Sequence, residues 1–524
     1  MPPPSDRYWQ YLEDTCPSIA PTALPLIHSA LAATRWDEPQ SPLDWNNYGV
    51  VALIEAEDTT DRDLRRLYVE AAIAAFENGV NAHPLCAAHL ALTYSLIGET
   101  DRAGTIATTA FIRILQPLHD KAATVPIGLI YLPSSAQRLA KGQDEAVALI
   151  VQLDNGLQQA LFLLGTLLGQ QLLPAFYNPN GLRLLNLATQ ILPSSAVNNL
   201  TLGIANLANG LWEGLFYLHR AEQLAPNEAD VLQALYLAYR DLGHTTTARY
   251  WLETARVRCP VIDSKRAWQW VDTAIDQAFT CIPFKDLLLT VKPSLASITT
   301  GVLLAKGDWF EAEMEFWRHH IQPGMTVIDV GANVGVYTFS AAQRVGNQGR
   351  VLAIEPFSEC VQFLQETCNV NQLSWVKVIA GAASDRTQTA QLALQMASEL
   401  NQLVPNDAEL VSGGNVETVA CFTLDALIEQ ESIAHVDFLK IDAEGHELQV
   451  LAGSERLLTK LMPTIVYENI ASDDQANTSS AVFLQERGYQ LFRYQPYLQE
   501  LIAVSELDEL QMSLNVIAIH TSNL

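Results

Sequence analysis

Apolar and polar positions follow different rules in the two halves of this chain. Up to about residue 262 the apolar residues recur three to four apart, the spacing of amphipathic helices, with almost no strand-like runs. A spacing also repeats there. Leu235, Tyr239, Gly243, Ala248, Ala255 and Pro260 sit where a helix–turn–helix unit needs them. Leu235 and Tyr239 share one helix face, and Gly243 ends that helix where a positive φ is cheap. Ala248 and Ala255 let two helices approach closely, and Pro260 stops the second. Leu90, Tyr94, Gly98, Ala103 and Ala110 repeat the first five offsets, while Ala188…Pro193, Ala221…Pro226 and Ala255…Pro260 recur at 33 and 34 residues. Residues 118–180 read as helical but off this pattern. In the junction 263–322, Leu287–Lys292 and Ser297–Thr300 predict a short hairpin. Gly307–Glu313 then leads into a helix ending near Pro323-Gly324.

From Met325 onward, apolar runs of strand length alternate with helix-period segments, which predicts a parallel sheet. The predicted strands are 325–330, 351–355, 376–380, 436–441, 464–468, 489–493 and 514–520, the last with its direction left open. Gln388–Leu394 and Val416–Phe422 predict an inserted β pair.

Composition narrows the function. A chain of 524 residues holds at least two domains. With 49% hydrophobic and 17% charged residues it is globular rather than disordered. A net charge of −27 argues against a nucleic-acid substrate, whose backbone needs clustered Lys and Arg. The seven cysteines form no Cys-x-x-Cys pair, which predicts reduced thiols, a cytoplasmic location and no metal site. The start, Met1–Arg7, does not read as a signal peptide, and Ala160–Gly169 is too short for a membrane span.

The chemistry sits at predicted strand ends, where open α/β sheets bind ligands. Strand one runs into Asp329-Val-Gly331-Ala-Asn333-Val-Gly335. This is neither the G-x-G-x-x-G of dinucleotide binders nor a P-loop with its Lys-Ser/Thr. Asp329 before the first glycine suits a ligand with a positive end, such as S-adenosylmethionine (SAM). Glu355, ending strand two, is placed to hold a ribose diol, and Asp385, after strand three, to accept from an adenine amino group. Strand four ends in Lys440-Ile-Asp442-Ala-Glu444-Gly-His446-Glu447, and strand five in Tyr467-Glu468-Asn469. Asp442 is the leading base or ligand-positioning carboxylate. His446 is a further candidate base, weighed against an ordinary helix-start histidine, and Glu468 a further site residue. Glu444 and Glu447 also fit helix N-terminus stabilisation, and Lys440 reads as the partner of a carboxylate.

Two resemblances follow. The repeated offsets resemble the tetratricopeptide repeat, whose period is 34. Ile328–Gly335, Val351–Pro356, Ala382–Asp385, Thr423-Leu-Asp425 and Phe438–Glu447, with the lead-in Gly307–Glu311, resemble the FkbM family of SAM-dependent methyltransferases. That likeness covers about 300–520. It implies a class I, Rossmann-like methyltransferase sheet (α/β) at the C-terminus, here preceded by an all-α repeat solenoid. It implies SAM contacts at Asp329, Gly331, Asn333, Gly335, Glu355 and Asp385, a site role for Asp442 and Glu444, and O-methylation of a glycan or natural-product hydroxyl. The expected domains are 1–262 (helical repeats), 263–322 (linker and lead-in) and 323–524 (methyltransferase). Two alternatives stand beside this reading: a protein methyltransferase whose substrate docks on the repeats, and a SAM-binding scaffold. Mg²⁺ held by Asp442, Glu444 and Glu468 is the less favoured variant.

Overall fold

The structure, a computed structural model, describes residues 3–16, 19–118, 125–133, 143–168, 175–176, 178–259, 266–272, 278–395, 401–404, 416–469, 478–511 and 513–524. The chain forms two compact units. The first takes in Met1–Cys259, Leu304–Gly307 and Pro496–Gln499, and the second Pro260–Leu303, Asp308–Gln495 and Glu500–Leu524.

The first unit is built on helices: α1 (Pro4–Thr15), α2 (Leu24–Ala33), α3 (Pro42–Asp58), α4 (Arg62–Gly79), α5 (Pro84–Leu96), α6 (Thr100–Leu118), α7 (Gln143–Ile150), α8 (Gly156–Leu167), α9 (Pro179–Ile191), α10 (Ala196–Ala208), α11 (Gly214–Leu224), α12 (Ala229–Asp241) and α13 (Thr245–Arg258). Several of their starts are set by capping side chains. Ser41 and Asp44 form a reciprocal capping box on α3, and Asp61 caps α4. Helices α5 and α6 pack together, as do α12 and α13. Gly98 and Gly243 turn each pair at φ 81° and 73°. Ala103, Ala110, Ala248 and Ala255 are all buried.

One expectation fails in this unit. Residues 125–133, within the stretch read as helical, form neither helix nor strand. Side chains from the helices take the place of a β-ladder. Leu129 N donates to Asn47 Oδ1 at 2.8 Å, Ile130 N to Tyr8 Oη at 3.1 Å, Tyr131 N to His89 Nε2 at 3.2 Å and Leu132 N to Tyr11 Oη at 3.0 Å. Tyr131 Oη in turn lies 3.0 Å from Tyr497 Oη, and Tyr497 Oη donates to Leu53 O at 3.2 Å. Pro126, Gly128 and Pro133 explain why this apolar segment does not coil.

The second unit opens with an antiparallel hairpin of β1 (Thr280–Phe284) and β2 (Leu287–Val291). The turn falls at Lys285, with φ 52°, and Asp286. This corrects the predicted pairing: Ser297–Thr300 is no strand but leads into α14 (Ile298–Lys306). Its β-branched residues follow Ser297, whose Oγ accepts from Thr300 N at 3.4 Å, a helix-start bond that overrides their strand preference. Helix α15 (Glu313–His320) follows.

Then strands and helices alternate: β3 (Thr326–Val330), α16 (Val336–Val345), β4 (Arg350–Glu355), α17 (Ser358–Asn371), β5 (Val376–Ala380), β6 (Ala382–Ala383), β7 (Gln388–Ala393), β8 (Gln402–Val404), β9 (Val416–Phe422), α18 (Leu424–Gln430), β10 (Phe438–Ile441), α19 (Glu447–Ala452), β11 (Thr464–Glu468), α20 (Thr478–Gln485), β12 (Tyr489–Gln495), β13 (Glu500–Ala503) and β14 (Asn515–His520). The main sheet has the order β13-β12-β14-β11-β10-β3-β4-β5. Strands β5, β4, β3, β10 and β11 are parallel, while β14, β12 and β13 join antiparallel. Strands β3 and β10 are buried along their whole length, as centrally placed parallel strands must be. Strand β7 pairs antiparallel with β9 in a small separate sheet, where the inserted pair was expected. Strand order reverses between β3 and β10, so their carboxyl ends flank the crevice in which such sheets take ligands.

Candidate functional site

The turn after β3 is shaped by backbone that few residues adopt. Gly331 has φ 77°, Asn333 φ 49° and Gly335 φ 94°. Only glycine fits at 331, since a Cβ there would meet Asp442 O at 1.6 Å. The β3 and β10 loops therefore touch backbone to backbone. Asp442 N also donates to Val330 O at 3.0 Å.

Three groups of side chains gather along these strand ends. The first centres on Glu355. Its Oε2 accepts from Asn333 N and its Oε1 from Phe357 N, both at 2.8 Å. Burial raises its carboxyl to about 7 against these two bonds, and the Asp329 and Asp442 charges add to the rise. Asp329 is only 1% exposed and accepts from Thr338 Oγ1 at 2.5 Å. Burial raises it to about 6, while the Thr338 bond and Lys440 oppose the rise. Asp329 thus braces the first turn of α16 from within.

The second group lies at the ends of β10 and β11. Carboxylate oxygens of Asp442, Glu444 and Glu468 lie within 4.8 Å of one another. Burial pushes the Glu468 carboxyl well above its ordinary value, and the Asp442 and Glu444 charges add to the rise. Its Oε2 is buried and has no hydrogen-bond partner among the described residues. Such a trio can hold a divalent cation, and the Lys440 ammonium, 3.0 Å from Asp442 Oδ2, already supplies positive charge beside it. Lys440 is 0% exposed. Burial works against its charge, but Asp442, Glu311 and Glu468 more than offset this and keep it protonated.

The third group involves His446. Its Nε2 lies 3.0 Å from Ser384 Oγ, and Ser384 Oγ also reaches Asp385 Oδ1 at 3.3 Å. Burial lowers the His446 imidazole, and Asp385 partly offsets this. Glu447 Oε1 accepts from Ala443 N at 3.0 Å and Gly445 N at 3.1 Å, holding the β10–α19 loop from within.

The structure thus gathers Asp442, Glu444 and Glu468 tightly, with Asp329 and Glu355 sensing the Asp442 charge. It sets Asp385 with His446 and Ser384, and Asp385 is itself exposed. Ser384, Glu311 and Asn515 were not singled out from the sequence. Glu311 stands in the quoted lead-in and Asn515 opens the last strand, but neither carries a motif of its own. None of the seven cysteines is in a disulfide, and five are buried. Among the described residues no helix is long and apolar enough to cross a membrane.

No curated protein matches the chain. Among solved structures it is similar to a methyltransferase FkbM from Methylobacillus flagellatus, at 18% identity over 43% of this chain and 53% of that one, with a TM-score of 0.25. This chain therefore spans about half the length of that protein. It is similar to an O-methyltransferase from Bacillus cereus in complex with SAH, at 15% identity over 41% and 83%, TM-score 0.24. A third is Aeropyrum pernix fibrillarin with natively bound S-adenosyl-L-methionine, at 11% identity over 38% and 67%, TM-score 0.23. By sequence, residues 329–491 match the Methyltransferase FkbM domain, so this stretch of the chain is similar to that family.

Proposed function

We propose that residues 323–524 form a SAM-dependent O-methyltransferase acting on a hydroxyl of a saccharide or natural product, and that residues 1–262 form a tetratricopeptide-like helical domain. The observation that carries the reading is the juxtaposition of Gly331 with Asp442, beside the Asp442–Glu444–Glu468 carboxylates. The glycine admits a ligand backbone-close, and the carboxylates favour a cationic one. A buried, unpartnered Glu468 oxygen in the same group fits a polar ligand that completes it.

Asp329, Gly331, Asn333, Gly335, Glu355 and Asp385 would hold SAM. When bound, SAM supplies a methyl group on a sulfonium leaving group. The protein's residues do the rest. Positioning the acceptor oxygen in line supplies the largest share of rate, up to about 7–11 kcal/mol. Asp442, held by the Lys440 ammonium, is the carboxylate that takes the acceptor's proton. Glu468, whose burial favours the protonated form, is placed to donate a hydrogen bond instead. His446 has Nε2 engaged by Ser384, which leaves Nδ1 for a second proton-accepting role.

SAM titration by calorimetry, followed by incubation of labelled SAM with glycans, tests this reading. No SAM binding would end it. A second reading keeps the enzyme but makes the acceptor a docked protein. It is favoured by exposed aromatic side chains on the helical unit: Trp212 (68% exposed), Phe216 (69%) and Tyr250 (59%). The thiols, none in a disulfide, support a reducing, cytoplasmic setting.

A further inference from the structure

Lys440 is a fully buried cation on a central strand, and such a charge persists only if every donor is met. Its Nζ donates to Asp442 Oδ2 at 3.0 Å and to Asn515 Oδ1 at 2.8 Å, and stands 4.9 Å from the centre of the Tyr337 ring. With Oδ1 turned to the ammonium, the Asn515 amide must point Nδ2 away. It points to Glu311, donating to Oε2 at 2.8 Å, with Glu313 Oε2 further off at 3.5 Å. Glu311 is itself fixed: Oε2 accepts from Tyr337 Oη at 2.7 Å and Oε1 from Trp309 Nε1 at 2.8 Å. The result is one directed chain of hydrogen bonds from the lead-in segment to the end of β10.

We propose that Glu311 is a positioning residue for Asp442, acting through Asn515 and Lys440; this rests on the methyltransferase reading of the site. The physical step is the orientation of the Asn515 amide. An ionised Glu311 accepts from Nδ2 and so presents Oδ1 to the ammonium. A neutral group at 311 lets the amide turn and set NH₂ against NH₃⁺. Lys440 then loses a partner and its aim at Asp442. The groups facing Lys440 are Asp442 on its own strand, Asp329 on β3, Glu468 on β11, Asn515 on β14, Tyr337 on α16 and Glu311 with Glu313 on the lead-in and α15. Glu311 and Glu313 both reach Lys440 through the Asn515 amide, and Glu311 holds it by the shorter bond, 2.8 Å against 3.5 Å.

The test uses the full chain and two readouts. In ¹⁵N-lysine NMR at one fixed neutral pH, Glu311→Gln should shift the Lys440 Nζ signal and quicken exchange of its ammonium protons, with the thermal melt nearly unchanged. In calorimetry, Glu311→Gln and Asp442→Asn should each weaken SAM binding about fivefold, and the double variant should be no weaker than the worse single one. Glu311→Asp should restore part of the Lys440 signal position. Additive losses, or an unmoved Lys440 signal, would overturn the proposal. If Glu311→Gln does not fold, Asn515→Ala breaks the same chain one link on and is read the same way. If the parent protein binds no SAM, the methyltransferase reading fails, while the NMR readout still decides whether Glu311 governs Lys440.

Discussion

Gly331 faces the carbonyl of Asp442 so closely that a methyl on its Cα would stand 1.6 Å from that oxygen. Gly331→Ala must therefore push the β3 and β10 loops apart and also hold alanine at φ 77°. We expect it to cost roughly 3–5 kcal/mol and to abolish SAM binding. Gly324 has φ 87° but open space where its Cβ would sit, so Gly324→Ala isolates the conformational cost. It should lose only about 1–2 kcal/mol and keep SAM affinity. Equal effects in urea melts and calorimetry would contradict the close approach.

Glu355 gives a pH dependence of definite sign. Burial raises its carboxyl to about 7 from 4.5. Below the lower value both states carry the proton. As pH rises through the window, the unfolded chain ionises first and the folded state loses stability relative to it. The loss is complete above the upper value. Asp329, raised to about 6, acts in the same direction. Glu355→Gln should therefore narrow the stability difference between pH 5 and pH 8 by roughly 2–3 kcal/mol. Thermal melts of both proteins at the two pH values measure it. A wider gap in the variant would show that Glu355 is ionised in the folded protein throughout.

The sheet was readable because its central strands are buried on both faces. Thr326–Val330 and Phe438–Ile441 are apolar but for Thr326, Asp329 and Lys440, and the acidic residues at the strand ends marked the crevice. Strand β1 escaped notice because Pro283 interrupts it. Strand β13 escaped because it is short, on the sheet edge and only partly buried. The carboxylates were visible as residues but their grouping was not. Asp385 goes with His446 because Ser384 bridges them, and that contact spans 62 residues. Glu311 meets Asn515 across 204 residues. Contacts of that range leave no local spacing to read.

His446 offers a choice between base and latch. Its Nε2 is 3.0 Å from Ser384 Oγ, beside Asp385, which is the residue assigned to adenine. As a latch it holds the Asp385 loop. His446→Ala and Ser384→Ala should then weaken SAM binding alike, by about 1 kcal/mol or fivefold. A pure base would leave SAM affinity untouched and lower only turnover. Calorimetry on the two variants separates the roles without knowledge of the acceptor.

The irregular segment 125–133 shows how the helical unit satisfies buried backbone with side chains. Asn47 Oδ1 accepts from Leu129 N at 2.8 Å, and its Nδ2 donates to Thr34 Oγ1 at 2.8 Å. Asn47→Leu keeps the volume but strands the Leu129 amide in the interior. That should cost about 2–3 kcal/mol. Tyr8→Phe removes the partner of both Ile130 N and Ile130 O and should cost a similar amount. Asn78→Leu removes only an exposed bond to Ala74 O and should cost less than about 0.5 kcal/mol. Hydrogen exchange locates the effect. If the segment is held by these side chains, exchange at Leu129–Leu132 should quicken about 30- to 150-fold in Asn47→Leu. Unchanged exchange there would mean that apolar burial alone keeps the segment in place, and that the polar side chains around it are satisfied without holding it.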